Sequence, residues 1–156
     1  RRYGYAVPRE TLDKAIKFVE GCGRDDGMFM YRHHGTAKVL PHSGVGVAAL
    51  YGAGKIDHPL LPKARALIAH EYQRYSVDDL AGRTYFLFGS WFAALTMYSS
   101  GYETWQPFYA KQVEVIARGQ AKDGSIADQA GDRVYTTALA AIILQAPKAY
   151  LSFFVQ

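Results

Sequence analysis

Only one cysteine, Cys22, stands in the chain, so no intrachain disulfide can form and no second thiol lies at metal-ligand spacing. Long apolar runs are missing too. The longest, Tyr85 to Tyr98 and Val134 to Leu144, are broken by small or polar residues and fall short of the roughly 18 residues that a membrane span requires. They are expected to be buried helices, and the chain is not expected to cross a membrane, although a peripheral association stays compatible with its composition. Dense charge of one sign is also lacking. The net charge is +4 and the isoelectric point near 9.1, but the 18 Lys and Arg are scattered along the chain. Nucleic acid is therefore not an expected partner, and electrostatic binding to it or to anionic lipid would rest on net charge alone. The sequence opens at Arg1 with neither a methionine nor a secretory pattern, as expected of a processed product or a fragment.

What is present is apolar and repetitive. At 49% hydrophobic, 156 residues supply one domain with a core. The segments K-A-I-K-F-V, K-A-R-A-L-I and K-Q-V-E-V-I begin at Lys14, Lys63 and Lys111, at intervals of 49 and 48 residues. Each carries apolar residues at helical spacing: Leu12, Ala15, Ile16, Val19; then Leu60, Ala64, Leu67, Ile68; then Trp105, Tyr109, Val113, Ile116. After each comes a loop and a second segment that is apolar nearly all round and rich in small residues. These are S-G-V-G-V-A-A-L-Y-G-A-G, Y-F-L-F-G-S-W-F-A-A-L-T-M-Y and Y-T-T-A-L-A-A-I-I-L. Pro8, Pro59 and Pro107 lie near the expected starts of the first helices, and Gly54 and Gly101 just past the ends of second ones. The sequence thus predicts an all-α domain of three helical hairpins, about six helices, over residues 8–54, 57–101 and 103–147. Amphipathic outer helices would cover buried inner ones.

The loop Q-A-K-D-G-S-I, Gln120 to Ile126, joins outer to inner helix in the third unit, as D-D-G-M-F, Asp25 to Phe29, does in the first. Gly27 and Gly124 are expected to supply the turn conformation, the aspartates to bond back to the turn backbone, and Phe29 or Ile126 to plug the hairpin.

In these residues the chain resembles the terpenoid cyclase and protein prenyltransferase group, which builds an α/α toroid from hairpins carrying the QW motif. Lys14, Ala15, Phe18, Val19 and Gly27 match that motif in the first unit, with Phe29 in place of the tryptophan and Gly23 in place of the glutamine. In the third, Lys111, Ile116, Gln120 and Gly124 match, Asp123 completes the turn, and Val115 and Ile126 replace the aromatics. The second unit keeps Lys63, Ala64 and Ile68 and loses the rest. The closing third is similar to bacterial prenyltransferase and squalene-oxidase repeat proteins of unknown function, a likeness that points to a bacterial, extracytoplasmic or membrane-complex setting. The resemblance implies a toroid-like array, and a complete toroid has about twelve helices. About half is here, so another chain or a further segment would complete the ring, or the half-ring would dock on something large.

The chemistry of that group is not written into the sequence. Its class II cyclases protonate an alkene with Asp-x-Asp-Asp, whereas Ser76-Val77-Asp78-Asp79 lacks the first acid and reads as a polar loop between helices. Asp25-Asp26 is followed by Phe29 rather than the third acid of a magnesium motif, and Cys22 leads into Gly23-Arg24-Asp25 rather than a thioester sequence. The best histidine cluster for a metal is His33, His34 and His42, but adjacent residues seldom face one ion. Gly89-Ser90-Trp91 is not a nucleophile elbow. These absences point away from an enzyme and from a cofactor. Aromatics make up 14% of the chain, and Tyr31, Tyr85, Phe88, Trp91, Phe92 and Tyr135 fall on or beside inner helices, as a core, an interface or a lipid cavity would require. Phe153 and Phe154 belong to an apolar terminus, residues 148–156, that would form an exposed patch unless covered or folded back. The expected function is a non-catalytic helical-repeat scaffold or accessory subunit with protein partners. The alternative is a binder of isoprenoid or other lipid, or a terpenoid-cyclase-like enzyme, that uses an aromatic cavity.

Overall fold

A computed structural model describes residues 6–36, 40–83, 85–129 and 131–148. Among them the chain is all-α, with seven α-helices, a closing 3-10 turn and no strand. The helices are α1 (Arg9–Cys22), α2 (Pro41–Gly52), α3 (Leu60–Gln73), α4 (Val77–Gly82), α5 (Phe86–Ser99), α6 (Tyr102–Gly119) and α7 (Arg133–Gln145).

Helices α2, α5 and α7 coincide with the three segments that are apolar on all sides, and they pack side by side with α5 in the middle. Helix α3 lies against α2, α5 and α6, while α6 lies against α3, α5 and α7, so α3 and α6 form a second layer. Helix α1 packs on α2. Small residues set how closely the inner row can approach. At Gly44, a Cβ would lie 2.9 Å from the Cβ of Phe92 and 3.0 Å from the backbone nitrogen of Ala93, so α2 meets α5 nearly backbone to backbone.

The main core gathers Ile68 and Tyr72 of α3, Leu87, Ala94 and Met97 of α5, Trp105, Phe108 and Ile116 of α6, and Leu139 and Ile143 of α7. Burying each large aliphatic side chain of this kind contributes about 1.5–3 kcal/mol. A smaller cluster joins Cys22 and Phe29 to Val47, Leu50, Leu61 and Ala64.

Three details depart from the sequence reading. Ser76-Val77-Asp78-Asp79 is no loop: Ser76 caps α4, accepting from the Asp79 amide, while Asp79 accepts from the Ser76 amide. That reciprocal box satisfies two amides that a helix start otherwise leaves bare. Pro107 lies inside α6 rather than at its start, because Gly101, at φ 100°, ends the preceding chain early and α6 begins at Tyr102. On α6 the buried stripe runs Trp105, Phe108, Gln112, Val115 and Ile116, leaving Val113 exposed. Gln112 takes the inward position by helical geometry, although the apolar pattern favours its neighbour.

Candidate functional site

The two Asp-Gly loops are built by the same bonds. In the first, the Arg24 amide donates to Met28 O (2.9 Å), the Gly27 amide to Arg24 O (3.0 Å), and the Met28 amide to Oδ1 of Asp26 (3.0 Å). In the third unit, the Ala121 amide donates to Ser125 O (2.8 Å), the Gly124 amide to Ala121 O (2.9 Å), and the Ser125 amide to Oδ1 of Asp123 (3.0 Å). Gly27 and Gly124 have φ of 88° and 83°, where a side chain would be strained. Phe29 and Ile126 follow, both buried, and their amides donate to hydroxyls early in the inner helices: Ser43 at 3.1 Å and Thr137 at 2.9 Å. The sequence reading missed these two hydroxyls. Gln120 donates to Gly124 O at 2.9 Å across its own turn. Lys14 and Lys111 pair with Glu10 (2.7 Å) and Glu114 (3.3 Å) on the outer surfaces of their helices.

Because Phe29 is drawn in under α2, a cavity of about 300 Å³ opens beside it. Position 46 must be glycine for this ring to lie where it does, since a Cβ there would run into it. Phe18, Val19 and Cys22 of α1 form one wall; His42, Val45 and Ala49 of α2 form another. Phe29, Met30 and Tyr31 close the loop end, and Phe88 reaches in from α5. The lining is almost wholly apolar. Burial pushes the Cys22 thiol pKa up, which favours the uncharged form of this wall group. A second cavity, of about 230 Å³, shares Val19 and Ala49 and runs on between α1 and α2 past Leu12 and Ile16.

Aromatic rings order the rim. Phe18 stacks on His33 with centroids 4.8 Å apart, and His33 Nε2 donates to the Phe18 carbonyl oxygen at 2.8 Å. Tyr31 and His42 lie 5.4 Å apart. His42 Nδ1 is buried without a hydrogen-bond partner, and burial lowers the pKa of the ring. Orphaned buried N–H groups are rarer than orphaned acceptors, which favours the neutral tautomer that carries its proton on Nε2.

Of the aromatics singled out in the sequence, Tyr31 and Phe88 thus meet at one cavity. Phe92 packs edge-on to Phe88 at 5.0 Å and Tyr85 to Phe88 at 6.5 Å. Tyr85 holds a left-handed backbone, φ 60°, at the start of α5, a strained placement for a bulky residue. Trp91 packs against the main core, Tyr135 stands half exposed at the start of α7, and Phe153 and Phe154 lie outside the described residues. His33, His34 and His42 do not form a metal site: among the described residues no group of three His, Cys, Asp or Glu could hold an ion. Asp79 accepts a hydrogen bond from Arg83 Nε at 2.8 Å, which holds its carboxyl below the usual carboxylate range. Asp128 went unnoticed in the sequence. It is a buried carboxylate that accepts from the Leu87 amide at 3.4 Å, at the positive end of α5.

No known protein family, curated protein or solved structure matched the chain. Among the described residues, no helix is long and apolar enough to cross a membrane.

Proposed function

We propose that the chain is a non-catalytic helical-repeat subunit, an arc of an α/α toroid-like array whose open end is covered by another polypeptide of a larger assembly. The observation that carries this reading is the outer side of α7. One side of α7 packs on α5, but Val134, Tyr135 and Ile142 on its other surfaces are 83%, 43% and 39% exposed. With Ala138, Val134 and Ile142 form an apolar stripe at four-residue spacing. Inside the array, each inner helix buries such surface against the next; among the described residues no further helix lies against the outer side of α7. The order of the helices, outer then inner in each unit, and the matching Asp-Gly loops support the toroid-like part of the reading.

A subunit interface would cover well over about 1,000 Å² in total, centred on this stripe. The test is the double substitution Val134→Glu and Ile142→Glu. Because both positions are exposed, the fold should change little, within about 0.5 kcal/mol per site. The variant should melt as the parent does and lose the subunits that comigrate with it. Retention of those subunits by a normally folded double variant would refute the reading.

A further inference from the structure

We infer that the cavity beside Phe29 is a binding site for a compact, uncharged molecule of about two rings bearing one hydrogen-bond-accepting oxygen, which His42 Nε2–H recognises. This goes beyond the subunit reading and does not depend on it. Volume sets the size. An apolar cavity of about 150 Å³ admits benzene; the space here is about 300 Å³, room for a second ring but not for a long extended chain. The lining sets the polarity: apart from the His42 ring and the Tyr31 hydroxyl it consists of aliphatic, aromatic and sulfur groups, and a charge placed among them would lose its hydration without a counter-charge. Flat walls from Phe18 and Phe29 favour a ring over a branched chain.

His42 supplies the directional contact, since Tyr31, the other polar residue of the lining, is 75% exposed at the loop end. Its Nδ1 is buried without a partner, so protonating that atom would strand an N–H, and the neutral ring presents its proton from Nε2. A ligand meeting that N–H must offer an acceptor, a ketone, ether or hydroxyl oxygen, and gains nothing from a cation.

Titration calorimetry of the full chain with 1-tetralone and with its oxygen-free counterpart tetralin tests both parts. Tetralone is expected to bind with a Kd below about 1 mM, two- to tenfold more tightly than tetralin, the range that one neutral hydrogen bond confers. His42→Leu should bring the two to equal affinity while binding persists. Ala49→Trp fills the cavity from an exposed position and should abolish binding of both; Val45→Phe does the same from one turn earlier on the same wall should the first variant fail to fold. Absence of tetralone binding, or binding that survives a folded cavity-filling variant, overturns the site. A tetralone preference that persists in His42→Leu overturns the role of His42.

Discussion

Replacing Gly44 by alanine sets two effects against each other. Within a helix, alanine is favoured over glycine by about 1 kcal/mol, so an open site would gain stability. Gly44 is not open: the added methyl would meet Phe92 Cβ at 2.9 Å, Phe92 C at 3.0 Å and Ala93 N at 3.0 Å. Two of these are backbone atoms of α5, which cannot rotate aside as a side-chain end can. Relief requires α2 and α5 to separate along the contact that holds the inner row together. Overpacking of this kind costs about 1–3 kcal/mol, and the backbone contact places Gly44 in the upper part of that range. The net expectation is a loss of about 1–2 kcal/mol, or a fall in Tm of about 2–8 °C for a chain of this size. Gly52, at the end of the same helix, has nothing within 4 Å of its added methyl. Gly52→Ala should therefore gain up to about 1 kcal/mol. Urea denaturation of both variants beside the parent reads the difference directly. If Gly44→Ala proves as stable as Gly52→Ala, the close approach of α2 and α5 is wrong.

Phe29→Ala and Ile126→Ala should each cost about 2–5 kcal/mol in urea denaturation, because both plugs are buried; losses below 1 kcal/mol would show that the Asp-Gly loops do not anchor their hairpins. Gln112 is fully buried, and neither amide atom has a hydrogen-bond partner. Gln112→Met should therefore leave stability unchanged or raise it by about 1 kcal/mol, and a marked loss would mean that the amide is bonded in solution. Arg83 holds the Asp79 pKa below its unfolded value, so the Asp79 contribution is present above about pH 4 and fades as pH falls through the folded value. The gap in Tm between the parent and Asp79→Asn should shrink from about pH 5 down to pH 2, and a gap that widens on acidification would contradict this assignment.

The inner helices were the most legible part of the sequence, since Y-F-L-F-G-S-W-F-A-A-L-T-M-Y is apolar at every phase and leaves no surface face to place. Outer helices were less so. Leu12 on α1 is 37% exposed despite its apolar spacing, because among the described helices α1 packs mainly on α2. Gln112 and Val113 exchange the expected roles because helix geometry, not hydropathy, decides which residue points inward. The short helix α4 was hidden by its acidic start, although Ser76 three residues before Asp79 is a recognisable box. The cavity was legible only as a list of aromatics. Its walls come from α1, a loop, α2 and α5, and nothing in spacing along the chain says that Phe18 and Phe88 face one space. Asp128 stands among polar and small residues, and its partner amide at Leu87 lies far away in sequence, so nothing local marked it as buried.

The subunit reading is tested most directly by the native mass of the protein, isolated gently from its source, with a photo-crosslinker placed at Val134. The account predicts a mass well above the 17.3 kDa of the chain and a crosslink from Val134 to a comigrating polypeptide. A lone monomer of 17.3 kDa, with Val134 crosslinking to nothing, would contradict it.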